Sequence, residues 1–205
     1  MRKLTVPISE EAIRDLHVGE PVSVSGVITT GRDAAHKYML DNFIKTGGQP
    51  PESEQEVYAA LKEILRGGVI YHCGPVVQQQ NGVWSFVAAG PTTSIREEPY
   101  QAAVIEHFGV RAVIGKGGMG PQTLRACRDY GAVYLHAIGG AATLIARSVK
   151  AVLTVYKMEF GVPEAFWIIR VEDFPAVVTM DSHGNSLHEQ IAGQSAVKLN
   201  ELIAR

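Results

Sequence analysis

Val110-Arg111-Ala112-Val113-Ile114-Gly115-Lys116-Gly117-Gly118-Met119-Gly120-Pro121-Gln122-Thr123-Leu124 reads as a strand, a glycine-rich loop and the start of a helix. The apolar run Val110 to Ile114 has the length of a buried strand. The glycines of the loop add almost no packing surface, but they let the backbone turn with positive φ and approach another group closely. A helix after the loop would aim its free N–H groups and positive dipole end at the space before it. Lys116 adds a full positive charge there. The segment therefore reads as an anion-binding corner in an α/β protein.

The alternation continues downstream. Ala132 to Ile138 is strand-like, Ala141 to Ala146 a short helix, and Val149 to Tyr156 and Phe166 to Val171 are strands. Asp181-Ser182-His183-Gly184-Asn185 is a turn, and Gln194 to Ala204 a helix. Upstream, Val69 to Gln79 and Val83 to Ala89 flank Asn81-Gly82, a hairpin signal. Gly90-Pro91-Thr92-Thr93 opens a helix that carries Ala102, Val104, Ile105 and Phe108. Ser53-x-x-Glu56 reads as a capping box for a helix with the stripe Val57, Leu61, Ile64 and Leu65, closed by Gly67-Gly68. Asp33 to Ile44 has helical spacing, Pro21 to Thr30 alternates like a half-buried strand, and Ser9 to Leu16 is a helix capped by Ser9. Mixed strands and helices predict one α/β layered domain over residues 1–205.

The bulk numbers bound the function. The chain has 205 residues, of which 46% are apolar and 20% charged, with a formal net charge of -2. That permits a real core and argues against a broad basic face for nucleic acid. No apolar run reaches the roughly 18 residues of a membrane span. The segment Met1 to Pro7 lacks the apolar core of a signal peptide, so a cytoplasmic location is expected. The two cysteines, Cys73 and Cys127, are too few to ligate an iron–sulfur cluster or a structural zinc. They read as buried hydrophobes, and no metal site is expected on this chain.

Three clusters could carry chemistry. Gly115-x-Gly117-x-x-Gly120 formally matches a dinucleotide fingerprint, but the region roughly 20 residues on, Leu135 to Gly140, holds no carboxylate for a ribose. Lys116 is followed by glycine rather than Ser or Thr, which disfavours a Walker loop. In Gly90-Pro91-Thr92-Thr93-Ser94-Ile95-Arg96, Thr92 and Arg96 would share a helix face one turn apart and could grip a carboxylate, or Thr92 and Thr93 could simply cap the helix. In Thr29-Thr30-Gly31-Arg32-Asp33-Ala34-Ala35-His36, Asp33 and Arg32 again stand at a helix start. Each cluster follows a strand, opens a helix and carries one cation. Convergence of Arg32, Arg96 and Lys116, with Asp33 the only evident counter-ion, would suit a small dianion. Three charge-assisted hydrogen bonds at about 1.5–3 kcal/mol each correspond to millimolar to micromolar binding. The histidines His72, His107, His136, His183 and His188 carry no ligand spacing.

Together these clusters resemble the signature segments of class I fumarate hydratases. The resemblance is to the β subunit, equivalent to the C-terminal domain of single-chain enzymes, a group that includes the L-tartrate dehydratase β subunit. It extends through Gly74-Pro75, Gly139-Gly140, Phe160 to Trp167 and Glu172 to Ala176, nearly the whole chain. It implies a swivelling β/β/α domain, with a mixed sheet flanked by helices, in a hydro-lyase that hydrates fumarate to (S)-malate. It also implies a 4Fe–4S cluster held by a partner α subunit, an α2β2 heterotetramer, and a small dicarboxylate substrate. Arg32, Arg96 and Lys116 resemble the cations that hold the substrate carboxylates. Thr92 resembles a hydroxyl acting as base, one that would need activation by a neighbouring charge or by the partner. Asp33, His36, Gly115 and Gly117 are supporting residues. The family often reads Arg-Met-Asp where this chain has Arg96-Glu97-Glu98, and the choice between fumarate and tartrate stays open. The alternatives are a tartrate dehydratase β subunit and a non-catalytic small-anion-binding module.

Overall fold

The computed structural model describes residues 1–204. In chain order the elements are β1 (Arg2–Thr5), α1 (Glu10–Arg14), β2 (Pro21–Thr30), α2 (Asp33–Met39), α3 (Gln55–Leu65), β3 (Val69–Tyr71), β4 (Val76–Gln80) and β5 (Val83–Ala88). They continue with α4 (Glu98–Phe108), β6 (Ala112–Gly115), α5 (Pro121–Tyr130), β7 (Val133–His136), α6 (Ala142–Ala146), β8 (Val149–Tyr156), β9 (Phe166–Met180) and α7 (Leu187–Ile203). Seven strands form a mixed sheet in the order β1-β2-β3-β6-β7-β9-β8, and a further β2–β9 pairing closes five of them into a ring. Strands β2, β3, β6 and β7 are parallel, whereas β9 runs antiparallel to both β7 and β2. The 15-residue length of β9 lets one strand close the ring and still pair with β8.

Strand alternation sorts the core into two faces. Val69 and Tyr71 of β3, Ala112 and Ile114 of β6, and Val133 and Leu135 of β7 pack with Trp167, Ile169 and Val171 of β9. Ile70, Val113 and Tyr134, one position out of phase, pack instead with Phe43, Leu61, Val104 and Phe108 under the helices. Trp167 is fully buried, donates its Nε1–H to the Val162 carbonyl at 2.8 Å, and meets Trp84 and Phe86 edge-on. Those ring contacts seat the β4–β5 hairpin against the barrel.

The strand β2 and the helix α5 coincide with the sequence reading, as does β8. Other elements differ for local reasons. The run Val69 to Gln79 is two strands, because the chain leaves the main sheet at His72 to form the hairpin. Asp33 to Ile44 is an α-helix only to Met39 and continues as a π turn over Leu40–Ile44. The capping box at Ser53 does not form: Ser53 lies in a 3-10 turn, and the residue before α3, Glu54, pairs with Lys157 and accepts from the Tyr38 hydroxyl. The last helix begins at Leu187, capped by Ser186 Oγ, which accepts from Glu189 N at 3.3 Å. No described helix is long and apolar enough to cross a membrane.

Candidate active site

The parallel strands β2, β3, β6 and β7 end at one edge, where α/β sheets gather ligands. Gly31 N donates to the Tyr71 carbonyl at 3.0 Å, which ties the end of β2 to the end of β3. Beyond β3, the His72 carbonyl accepts from both Thr92 N (2.7 Å) and Thr92 Oγ1 (3.0 Å). Thr92 to Ser94 then runs beside the glycine loop. Lys116 N donates to the Thr92 carbonyl at 3.2 Å, and Ser94 N to the Lys116 carbonyl at 3.1 Å. The three clusters therefore meet.

Thr92 and Arg96 do not share a helix face, contrary to the spacing argument. Thr92 is part of this extended ladder, and Arg96 sits in a 3-10 turn over Ser94–Glu97. Thr93 precedes that turn without a side-chain cap bond, so neither threonine caps the helix.

The charges are also distributed differently. Asp33 Oδ2 pairs with Arg96 Nη2 at 3.0 Å. Arg32 pairs with Glu164, with 3.3 Å between Nε and Oε1, so Asp33 is not the only counter-ion. Its guanidinium lies over Gly74, where a Cβ would come within 2.5 Å of Nη1. Lys116 makes no ion pair among the described residues. Of the three cations, Arg32 and Arg96 each have a carboxylate partner and Lys116 alone is left without one among the described residues.

A buried polar chain links the clusters from below. His36 Nδ1 lies 2.9 Å from the Arg32 carbonyl, and the Gln101 side chain stands 2.9 Å from both His36 Nε2 and His72 Nε2. His72 Nδ1 is 2.8 Å from Ser94 Oγ, which accepts from the Tyr134 hydroxyl at 2.9 Å. Burial holds both imidazoles below the ordinary histidine range, His72 furthest. Gly115 makes room for this chain, because a Cβ there would collide with Ser94 Oγ and lie 2.9 Å from the Tyr134 hydroxyl. Gly117, exposed with φ 82°, supplies the left-handed turn after Lys116.

The N-terminus of α5 is not open to an outside anion. Glu98 fills it: Oε2 accepts from Gly120 N (2.8 Å) and Thr123 Oγ1 (2.6 Å), and Oε1 from Gln122 N (2.8 Å) and Thr123 N (3.3 Å). The anion corner of the sequence reading is thus reduced to Lys116, and a phosphate cradle is ruled out by an internal carboxylate. Glu98→Ala is expected to lower stability by about 1–3 kcal/mol, since it removes a charged cap. Urea unfolding checks this, and an unchanged midpoint would show that water replaces the carboxylate without loss.

Several histidines leave no spacing signal, because their partners lie well away from them in sequence. His72 holds Thr92 through its carbonyl and Ser94 through its ring. The His188 ring lies against Gly118 and 3.0 Å from Thr179 Oγ1, and His136 stands beside it with ring centroids 6.1 Å apart. His107 and His183 belong to other surfaces, near Tyr58 and Arg14. The cysteines do not fit a metal cluster. Cys73 lies in the barrel core and Cys127 in the helix-side core, and burial pushes both thiols up to about 12.

Comparison with known proteins gives a consistent picture. Residues 2–191 match the family described as Fumarase C-terminus. A Geobacillus stearothermophilus protein named for class I fumarate hydratase is 53% identical over 199 residues, 97% of this chain. The match spans only 35% of that relative's length. A Methanocaldococcus jannaschii protein named for the L(+)-tartrate dehydratase beta subunit is 39% identical, over 96% of this chain and 95% of its own length. An Escherichia coli protein named L(+)-tartrate dehydratase subunit beta is 36% identical, over 90% and 85%.

Proposed function

Because this chain belongs to the fumarase C-terminus family, we propose that it forms the β-type, carboxylate-binding part of an iron–sulfur-dependent hydro-lyase acting on fumarate. The observation that supports this most is the meeting, at one sheet edge, of the segments that carry Arg32, Arg96, Lys116 and Thr92. Two relatives that the chain spans almost whole bear the name of a beta subunit, which supports a partner α subunit, and we propose an α2β2 assembly with it. This chain's residues do not fit a 4Fe–4S cluster, and we assign the cluster to that partner.

The work of this chain is binding and orientation. Arg96 can present a two-pronged donor to one carboxylate, and Lys116 a point charge to the other. Arg32, held by Glu164 and by the His36-tethered backbone, adds a third fixed charge. Thr92 donates its hydroxyl proton to the His72 carbonyl, so its lone pairs are free for the substrate. A hydroxyl held this way is set to receive the proton lost from the carbon beside a carboxylate. It becomes an effective base only if a second group takes up its own proton, a task for the partner or the solvent.

Anaerobic co-expression with a cysteine-bearing partner, followed by a fumarate-to-malate assay, tests the reading. Turnover is expected only with both chains and the cluster present. Turnover of tartrate alone would move the assignment to a tartrate dehydratase, which the names of the full-length relatives favour. Failure of any complex to form would leave a small-anion-binding module.

A further inference from the structure

Glu97 ends the 3-10 turn that carries Arg96, and its side chain is 0% exposed. Among the described residues neither carboxyl oxygen has a hydrogen-bond partner of good geometry, and only its own backbone N–H acts on it. An ionised carboxylate in that state carries a heavy desolvation cost, which the neutral acid largely avoids. The groups facing it come from every neighbouring element. His72 Nδ1, after β3, is 4.0 Å away and already engaged with Ser94. Arg32 and Asp33 face it from the start of α2, Arg96 from its own turn, and Tyr134 from β7. His36 stands behind His72, with ring centroids 5.0 Å apart. Burial first, then Asp33, pushes the carboxyl up to about 7, and its own backbone N–H, Arg96 and Arg32 only partly oppose this.

The charge count of the edge makes this state matter. Arg32 pairs with Glu164 and Arg96 with Asp33, and Lys116 has no ion-pair partner among the described residues. An ionised Glu97 would add a negative charge beside Asp33, Arg32 and Arg96, where it would repel a bound dianion. We propose that Glu97 is a positioning residue that works as a neutral acid, so that a dicarboxylate dianion binds this edge together with one proton on Glu97. The proposal rests on the dicarboxylate reading of the site. The folded state keeps this proton up to about pH 7, whereas the free carboxyl loses it near 4.5. The contribution of Glu97 to stability is therefore fully present below 4.5 and is lost as pH rises through about 7.

Two measurements test it. On the full chain, the carboxylic C=O stretch is read by infrared difference between wild type and Glu97→Gln. The band is expected to persist up to about pH 7, and a band lost near pH 4.5 overturns the proposal whatever the enzyme does. On the complex with the partner, calorimetry gives the dissociation constant of succinate as a function of pH. In wild type it is expected to rise by up to about tenfold per pH unit above the carboxyl midpoint, a dependence missing from Glu97→Gln. Glu97→Met serves the same end if the glutamine variant fails to fold. Parallel pH profiles in wild type and variants overturn the coupling. Absence of succinate binding overturns the coupling and the dicarboxylate site together. Succinate binding without turnover of fumarate or tartrate overturns the hydro-lyase reading alone.

Discussion

Arg96→Ala, in the enzyme assembled with its partner, is expected to lower kcat/KM by roughly 30- to 5,000-fold. Truncating one member of a charge pair to a desolvated ligand costs about 2–5 kcal/mol, and each 1.36 kcal/mol is a factor of ten in rate. The effect belongs to the bound state, because the free chain asks little of this residue. Its side chain is 48% exposed, and its ion pair is with the similarly exposed Asp33. Such surface pairs contribute little to folding, so the unfolding midpoint should stay close to wild type. Arg96→Lys separates charge from geometry: it keeps the cation but not the planar fork, and an intermediate loss is expected. Steady-state kinetics on the three proteins decide the matter. Normal turnover by Arg96→Ala would remove this residue from the site and leave its pairing with Asp33 as surface structure.

Gly115→Ala is expected to have the largest effect on the chain itself, destabilising it by about 2–6 kcal/mol. The new Cβ would occupy the space of Ser94 Oγ and crowd the Tyr134 hydroxyl. Overpacking a rigid core costs about 1–3 kcal/mol, and leaving a buried polar group unpaired costs about as much again. A loss of that size is a large fraction of the roughly 5–15 kcal/mol that holds a domain together. Ser94 is also the junction of the His72 and Tyr134 bonds, and its backbone N–H bonds the Lys116 carbonyl. Lys116 should therefore lose its position even where the variant folds. Urea unfolding measures the first effect. A wild-type midpoint would mean that Ser94 does not lie against Gly115 as described.

Both predictions concern residues that could be found without coordinates, and for the same reason. Gly115 and Lys116 lie in a loop whose composition has no packing purpose, and Arg96 follows a strand-to-helix break marked by Gly90-Pro91. Signals of this kind are local: glycine content, periodicity and breaks involve side chains a few positions apart. The same locality explains why Pro21–Thr30, Pro121–Tyr130 and Val149–Tyr156 were legible to the residue. Cap assignments were less secure, because a cap competes with distant partners. Ser9 keeps its local role, whereas Glu54 spends its carboxylate on Tyr38 and Lys157.

Residue spacing and composition suffice for the α/β class, the order of most elements, the shortage of cysteines for a cluster and the three cation-bearing segments. Which groups those cations meet is set by folding. Glu98 reaches 22 residues along the chain to fill the N-terminus of α5, and the Ala34 backbone meets Glu164 across 130 residues. Closure of the ring by β9 joins a strand near one end of the chain to one near the other. A carboxylate's partner is chosen by distance, desolvation and competition among all groups that folding brings near it, and none of these has a spacing in sequence. Glu97 shows the point most plainly. In sequence it is one acid of a pair in a charged turn, and only burial without a hydrogen bond of good geometry makes it a group that keeps its proton.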